Sequence, residues 1–400
     1  MNRDYVLLSR AGVITVGGPD SCFPGFTSLA IQSAIDEASK QGGGIVKLDK
    51  GTFEITGPIR LIDRLTFTGA GPETILRKSD GVRSRFTVDA DYGELRVEVA
   101  DGSGFRVGMG IQIYDESQQW GWAESKATIT SIDRNVLHFD RYLVRDYNSD
   151  DGGTVTNACS IIEGVEVEHV KICNLTIQGN KEANWPTGGC RAGGIYLHKV
   201  NNCLIEHVTV EDFHGDGISW QITEDISLYR CVVRGCTGSG LHPGSGSLYT
   251  RVNECDCSDN GKSGLFICWR VQHGEFTRNT FARNGDNGIS IGHKDSDNRF
   301  SHNVISDNAV SGIYFRPEKT SNGANRNVWT NNIIENNGNE EVGYGIYVNG
   351  ASADNEFKHN VIRDTGVQRQ KTAIWLAEDV AGFNLAEDIA QNVRGKVEEA

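Results

Sequence analysis

The chain has 400 residues, 38% apolar and 23% charged, with 48 glycines, 7 prolines and a formal net charge of −14. These proportions suit a globular protein with many tight turns and few linkers, and an acidic balance without a basic stripe argues against a general nucleic-acid binder. No apolar run approaches the ~20 residues of a membrane helix. The opening stretch MNRDYVLLSRAGVITV lacks a basic segment followed by a long apolar core, so no signal peptide is expected in it. A trimmed chain would read the same way, which leaves the compartment open.

In chain order, FTSLAIQSAIDEASKQGGG (26–44) predicts a helix. Thr27 or Ser28 can cap its start, Ile31, Ile35 and Ala38 share one face, and Gly42 ends it. Residues 80–157 alternate with period two and read as antiparallel strands, with turns at Asp101-Gly102 and Arg134-Asn135. This stretch is expected to be an insertion packed on the flank, with Trp120 and Trp122 on an exposed loop.

From residue 193 onward one phrase returns: GGIYLHKV, DGISWQIT, SGLHPGSG, SGLFICWR, NGISIGHK, SGIYFRPE, YGIYVNGA. Its glycines, Gly194, Gly217, Gly240, Gly264, Gly288, Gly312 and Gly345, are spaced 23, 23, 24, 24, 24 and 33 residues apart. After each glycine apolar and other residues alternate, as in a strand with one buried face. A second strand such as NRFSHNVI (298–305) follows, and then a turn rich in Asn, Asp and Gly. The turns carry a column of their own, Cys231, Cys255, Asn279, Asn303, Asn332 and Asn360, whose asparagines can hydrogen-bond along the stack. Coils this short leave no room for a helix in each repeat. The expected fold is therefore all-β, a right-handed parallel β-helix (solenoid) of about ten coils with an N-terminal capping helix and a β-rich insertion. It forms a single domain over 1–400, closed at its far end by the tail 384–400. The ten cysteines show no CxxC pair, and several occupy repeating positions, which favours buried free thiols over disulfides or metal.

The pattern resembles the pectin-lyase-like superfamily of β-helix proteins, through AIQSAIDEASKQGGGIVKLDKGTFEITGPIRL (30–61) and LTIQGNKEAN (175–184). The resemblance implies the fold and a carbohydrate partner, but not one reaction, because the group holds polysaccharide lyases, uronate epimerases, glycoside hydrolases, phage tailspikes and non-enzymatic proteins. Two subfamily patterns match in part. Against polygalacturonase-type hydrolases Asp216 matches the first acid, whereas Gly238, Ser239 and Ser263 replace the Asp pair and the histidine. Against mannuronan C5-epimerases, Pro243 is in place, but His242 and Gly244 stand where Asp and His belong, and Arg270 roughly matches a basic residue one coil on.

Period two sends the second and fourth residues after each glycine outward. One column then holds Tyr196, Ser219, His242, Phe266, Ser290, Tyr314 and Tyr347; the next holds His198, Gln221, Gly244, Cys268, Gly292, Arg316 and Asn349. Arg270, Lys294 and Glu318 lie beyond the bend. Aromatic platforms suit sugar rings, and Arg or Lys suits carboxylates. The sequence thus points to a polysaccharide or oligosaccharide substrate, with β-elimination or epimerisation at a uronate. His242 is the expected base, Asp216, Arg270 and Lys294 are its catalytic partners, and Tyr196, His198, Gln221, Phe266, Tyr314, Arg316 and Glu318 are the binding residues. Two other readings stay open: hydrolysis by carboxylates such as Asp216, Asp286 and Glu318, and a non-catalytic glycan-binding surface. The plain alternative for Lys294 and Glu318 is a surface ion pair. No cofactor or metal is expected, although Asp286, Asp295 and Asp297, or Asp150-Asp151, could hold Ca²⁺. No nucleic acid or membrane partner is expected, and the oligomeric state is left open.

Overall fold

The computed structural model describes residues 12–119, 121–339, 341–378, 380–383, 388–393 and 398–399. Most of the expected tail, and Trp120, lie outside the described residues. Among those described there is one α-helix, two short 3₁₀ turns and otherwise strands. The chain divides into two compact units, Met1–Leu197 with Val210–Ser219, and His198–Thr209 with Trp220–Ala400.

In the N-terminal unit the helix spans Ser28–Lys40, with Thr27 as its N-cap accepting from the Ala30 amide. Its buried face is Ile31, Ala34, Ile35 and Ala38, and Gly42 takes the left-handed conformation just beyond the end. Parallel strands stack beneath it: Val13–Gly17 on Gly44–Leu48, Gly44–Leu48 on Leu65–Thr68, and Gly51–Ile55 on Thr74–Lys78. The insertion forms a six-stranded antiparallel sheet around its own core, which includes Val97, Phe105, Ile111, Leu137 and Tyr147. Its hairpin turns at Arg134 (φ 53°), and Asp101 accepts from the Ser103 amide in the other expected turn. Ion pairs from Arg60 to Asp140 and from Arg141 to Glu163 hold it to the strands Ile59–Arg60 and Ile162–Val165.

In the C-terminal unit each coil contributes three short strands, and successive coils pair in parallel register. The first inward column is Leu241, Leu265, Ile289, Ile313, Ile346 and Ile374. The second is Val252, Phe276, Phe300, Trp329 and Phe357, whose rings stack at centroid separations of 4.9, 3.7 and 5.6 Å for Phe276–Phe300, Phe300–Trp329 and Trp329–Phe357. The aliphatic residues that follow the repeated glycines are fully buried, Leu241, Leu265, Ile289, Ile313 and Ile346 in this unit and Ile195 and Ile218 in the N-terminal one.

The polar column expected at the turns exists, and there are two more like it. The Asn279 amide N–H and Nδ2 both donate to Asn303 Oδ1, at 2.9 and 3.0 Å. Asn303 does the same to Asn332, Asn332 to Asn360, and Asn360 to Asp388. Each Nδ2 also donates to a main-chain carbonyl; for Asn303 this is Phe276 O at 2.9 Å. A second ladder runs through Asn260, Asn284, Asn308, Asn337 and Gln370, and a third through Asn298, Asn327 and Asn355. The residue before most of these asparagines is left-handed, as at Arg278, His302, Asn331 and His359, so the chain bends where the side chain turns inward.

From Gly240 to Gly345 the repeated glycines lie against the second ladder. A Cβ at Gly288 would sit 2.8 Å from Asn308 Nδ2 and 2.7 Å from Gly312 O, and one at Gly312 would sit 2.9 Å from Asn337 Nδ2. Close approach, not an unusual φ, is what requires glycine there. All ten cysteines are free, and Cys255 heads the first ladder, its amide donating to Asn279 Oδ1.

Truncating a ladder residue strands several buried donors and acceptors at once. Asn303→Ala should therefore cost about 2–4 kcal/mol, read as a lower denaturant midpoint, whereas Asn325→Ala outside the ladders should cost less than half as much. Equal losses at both positions would show that the ladder has no special role.

Candidate functional site

The outward column of the C-terminal unit is His242, Phe266, Ser290, Tyr314, Tyr347 and Trp375, in register on adjacent strands. The His242 ring meets Phe266 edge-on at 5.0 Å, and Tyr314, Tyr347 and Trp375 follow with ring separations of 5.3 and 4.9 Å. Tyr344 stacks on Tyr347 at 4.9 Å, so this end of the column is an aromatic patch.

Arg316 reaches back across two coils. Its guanidinium covers the Phe266 ring at 4.7 Å and donates to Ser290 Oγ (2.9 Å), the Ile267 carbonyl (2.7 Å) and Asp295 Oδ2 (3.2 Å). Gly292 makes this path possible, since a Cβ there would sit 2.8 Å from Arg316 Nε. Asp295 is fully buried and also accepts from the Val271 and Gly292 amides at 3.0 and 2.9 Å. Burial raises its carboxyl to about 6, outweighing the pull of Arg316 and the two amides. Arg316 is thus locked into the surface as a structural cation, which restricts the carboxylate-binding role expected for it.

Beyond the bend, His293 Nδ1 lies 3.2 Å from Glu318 Oε2, and its ring packs against Trp269 at 5.3 Å. The side chain of His293 is 24% exposed, against 4% for the whole of His242. Arg270 and Lys294 are exposed neighbours: the Arg270 amide donates to the His293 carbonyl at 2.8 Å, and Lys294 follows His293 in the chain. Trp269, Arg270 and Lys294 are all left-handed, which turns their side chains out of the coil. The structure therefore brings together Trp269, Arg270, His293, Lys294 and Glu318.

Several expected site residues are placed differently. His242 is buried against Phe266 rather than presented as an open base. Gln221 is fully buried, lying over Gly244, where a Cβ would come within 2.4 Å of its Oε1. His198 is half-buried in the same unit. Glu318 pairs with His293 rather than with Lys294, the ion pair considered as the plain alternative. Tyr196 and Asp216 fall in the N-terminal unit and are buried; the Tyr196 hydroxyl donates to the Cys190 carbonyl, and burial pushes its pKa up. The cause is the loop 179–194, which overlies that face, as the 2.5 Å bond from Ser219 Oγ to the Gly189 carbonyl also shows. This loop is tied to the insertion by Gln112 Nε2 to the Pro186 carbonyl (3.2 Å) and by Arg191, which covers the Trp122 ring at 4.9 Å. The three aspartates considered for calcium do not converge: Asp295 holds Arg316, Asp297 pairs with Arg326 and Asp286 accepts from Asn287. Among the described residues no group of three or more His, Cys, Asp or Glu side chains is placed to hold a metal.

Stacked parallel coils, inward aliphatic columns and asparagine ladders define a parallel β-helix protein. A family model described as a right-handed β-helix region matches residues 160–320 and 193–362, and the chain belongs to that family. The pectin-lyase-like resemblance and the right-handed all-β fold both hold. Among solved structures the chain is similar to the A-module of the Azotobacter vinelandii mannuronan C-5 epimerase AlgE4, at 14% identity and TM-score 0.58, covering 93% of each chain. It is also similar to a protein named only as a glycoside hydrolase, at 12% identity and TM-score 0.57, covering 96% of each. A third similar structure is the Dettilon tailspike protein, at 13% identity and TM-score 0.51, covering 92% of this chain and 65% of that one. No curated protein sequence matches the chain.

The raised Asp295 carboxyl sets a pH dependence. Its contribution to stability is present below the unfolded carboxylate range near 4 and is lost as pH rises through about 6. Between about pH 4 and about pH 7 the wild type should lose roughly 2–3 kcal/mol relative to Asp295→Asn. Denaturant midpoints of both proteins across that range measure this, and a constant difference would contradict it.

Proposed function

We propose that the protein is a carbohydrate-active β-helix enzyme that removes the proton beside the carboxylate of a uronate residue in an acidic polysaccharide. The observation that carries this reading is the half-buried His293–Glu318 pair, packed on Trp269 and beside the exposed cations Arg270 and Lys294. With Glu318 accepting from the Nδ1–H of His293, Nε2 is left as the basic nitrogen. Arg270 and Lys294 then pair with the sugar carboxylate and make the neighbouring carbon more acidic. The aromatic column of Tyr314, Tyr347 and Trp375 offers apolar surface to the flanking sugars, while the Phe266 ring is covered by Arg316. His293 takes the role first expected of His242 because it is the more exposed of the two. The names of the similar structures, an epimerase, a glycoside hydrolase and a tailspike, fit a polysaccharide partner. The hydrolytic alternative is less favoured, since Asp216 is buried, Asp286 accepts from Asn287 and Glu318 is engaged by His293.

A panel of polyuronates tests the class of reaction. Elimination gives unsaturated ends that absorb in the ultraviolet, and epimerisation gives inverted residues by NMR without chain cleavage. New reducing ends without that absorbance would mean hydrolysis, and retention without any product would mean a binding surface; either result contradicts the proposal. With an active substrate, His293→Gln should lower kcat by about 10²–10⁴-fold with little change in stability. Arg270→Ala should raise KM for a charged substrate more than for its methyl ester.

A further inference from the structure

The residues of the proposed site all lie beyond strand ends: Arg270 in one coil, His293 and Lys294 in the next, and Glu318 in the one after. Outside a strand, alternation no longer fixes where a side chain points. Here one buried carboxylate, that of Asp295, meets all three coils. Its Oδ1 accepts from the amide of Val271, next to Arg270, at 3.0 Å. Its Oδ2 accepts from the amide of Gly292, next to His293, at 2.9 Å, and from Arg316 Nη2 at 3.2 Å. Only Pro317, whose ring fixes its φ, separates Arg316 from Glu318. The Asp295 amide donates back to the Gly292 carbonyl at 3.1 Å, closing a four-residue turn with His293 and Lys294 at its centre. This turn is anchored to the core, since the Asp295 carbonyl accepts from Asn327 Nδ2 of the third ladder at 3.0 Å. Burying a carboxylate is costly even when it is bonded this fully, and a well-packed apolar residue is often the more stable occupant of such a place. That points to geometry, not stability, as its use.

We propose that Asp295 is the positioning residue of this site: through Val271, the Gly292–Asp295 turn and Arg316 it sets His293 against Glu318 and holds Arg270 and Lys294 beside them. The inference rests on the reading of these four residues as a site of proton removal. Asparagine at 295 keeps the size of the side chain but has one acceptor oxygen and a donating NH₂ group. Whichever way its amide is turned, NH₂ meets a donor where a carboxylate oxygen now accepts, and one side of the joint opens.

Imidazole ¹⁵N NMR of the full chain at pH 8, where the Asp295 carboxyl is ionised, reads the joint without any substrate. The His293 signal is identified by its absence from His293→Gln. In the wild type His293 should carry its proton on Nδ1, toward Glu318, and in folded Asp295→Asn it should shift toward the Nε2–H form. Asn303→Ala, destabilised in the first ladder, should keep the wild-type tautomer. An unchanged tautomer in Asp295→Asn, or an equal shift in Asn303→Ala, would overturn the proposal. With an active polyuronate, Asp295→Asn should lower kcat by about 10–10²-fold but cost nothing further in the His293→Gln background; additive losses would also overturn it. If no polyuronate is turned over, the functional reading fails, while the tautomer comparison still decides the role of Asp295. If Asp295→Asn does not fold, Arg316→Gln takes its place, because it parts the same carboxylate from the coil of Glu318. The same tautomer shift is then expected, and an unchanged tautomer overturns the proposal.

Discussion

Everything in the C-terminal unit depends on the buried asparagine ladders. A parallel stack of coils can slip in register, and apolar columns alone oppose slippage only weakly, since one aliphatic side chain replaces another at little cost. An asparagine that donates to the next asparagine and to a carbonyl of an earlier coil has one satisfactory position. The glycine column is the counterpart of this constraint. From Gly240 to Gly345 each repeated glycine leaves space that its neighbouring ladder amide fills, so there the 24-residue phrase and the ladder are one device written twice in the chain.

A fixed register makes the outward face predictable as a surface. Residues one coil apart stand about 5 Å apart, so a site can be assembled from positions 24 or more residues apart without any helix or long loop. Burial then sorts the outward residues. His242 and Gln221 pack into the surface, Arg316 is spent on Asp295 and Phe266, and the accessible chemistry moves past the bend to the half-buried His293 and Glu318 and the exposed Arg270 and Lys294. The left-handed backbone at Trp269, Arg270 and Lys294 turns these side chains out of the coil.

The fold was legible because its cause is periodic: glycines, aliphatics and asparagines recur at fixed spacing, and each marks one constraint. The cap helix was legible for a local reason, an N-cap threonine and a left-handed glycine around one apolar face. The site was legible only by column. Alternation identifies which residues leave the strand, but not which of them a neighbouring loop covers, as the loop 179–194 covers Tyr196. His293 lies after the strand, and its partner Glu318 stands 25 residues on, so no single-coil pattern links them. Asp295 stands out in the sequence only as one of three aspartates that could hold Ca²⁺. Its burial depends on Gly292 admitting the Arg316 side chain, a contact that period-two reasoning does not contain.

The central claim is that this face of the C-terminal unit receives an acidic sugar chain with a carboxylate between Arg270 and Lys294 and a reacting carbon beside His293. A crystal structure of the His293→Gln protein with an oligouronate bound tests it most directly. The account predicts sugar rings along Phe266, Tyr314 and Tyr347, with one carboxylate paired to Arg270 or Lys294 and its neighbouring carbon facing residue 293. An oligouronate seated on any other surface, or one on this face with its carboxylates turned away from both cations, would contradict it.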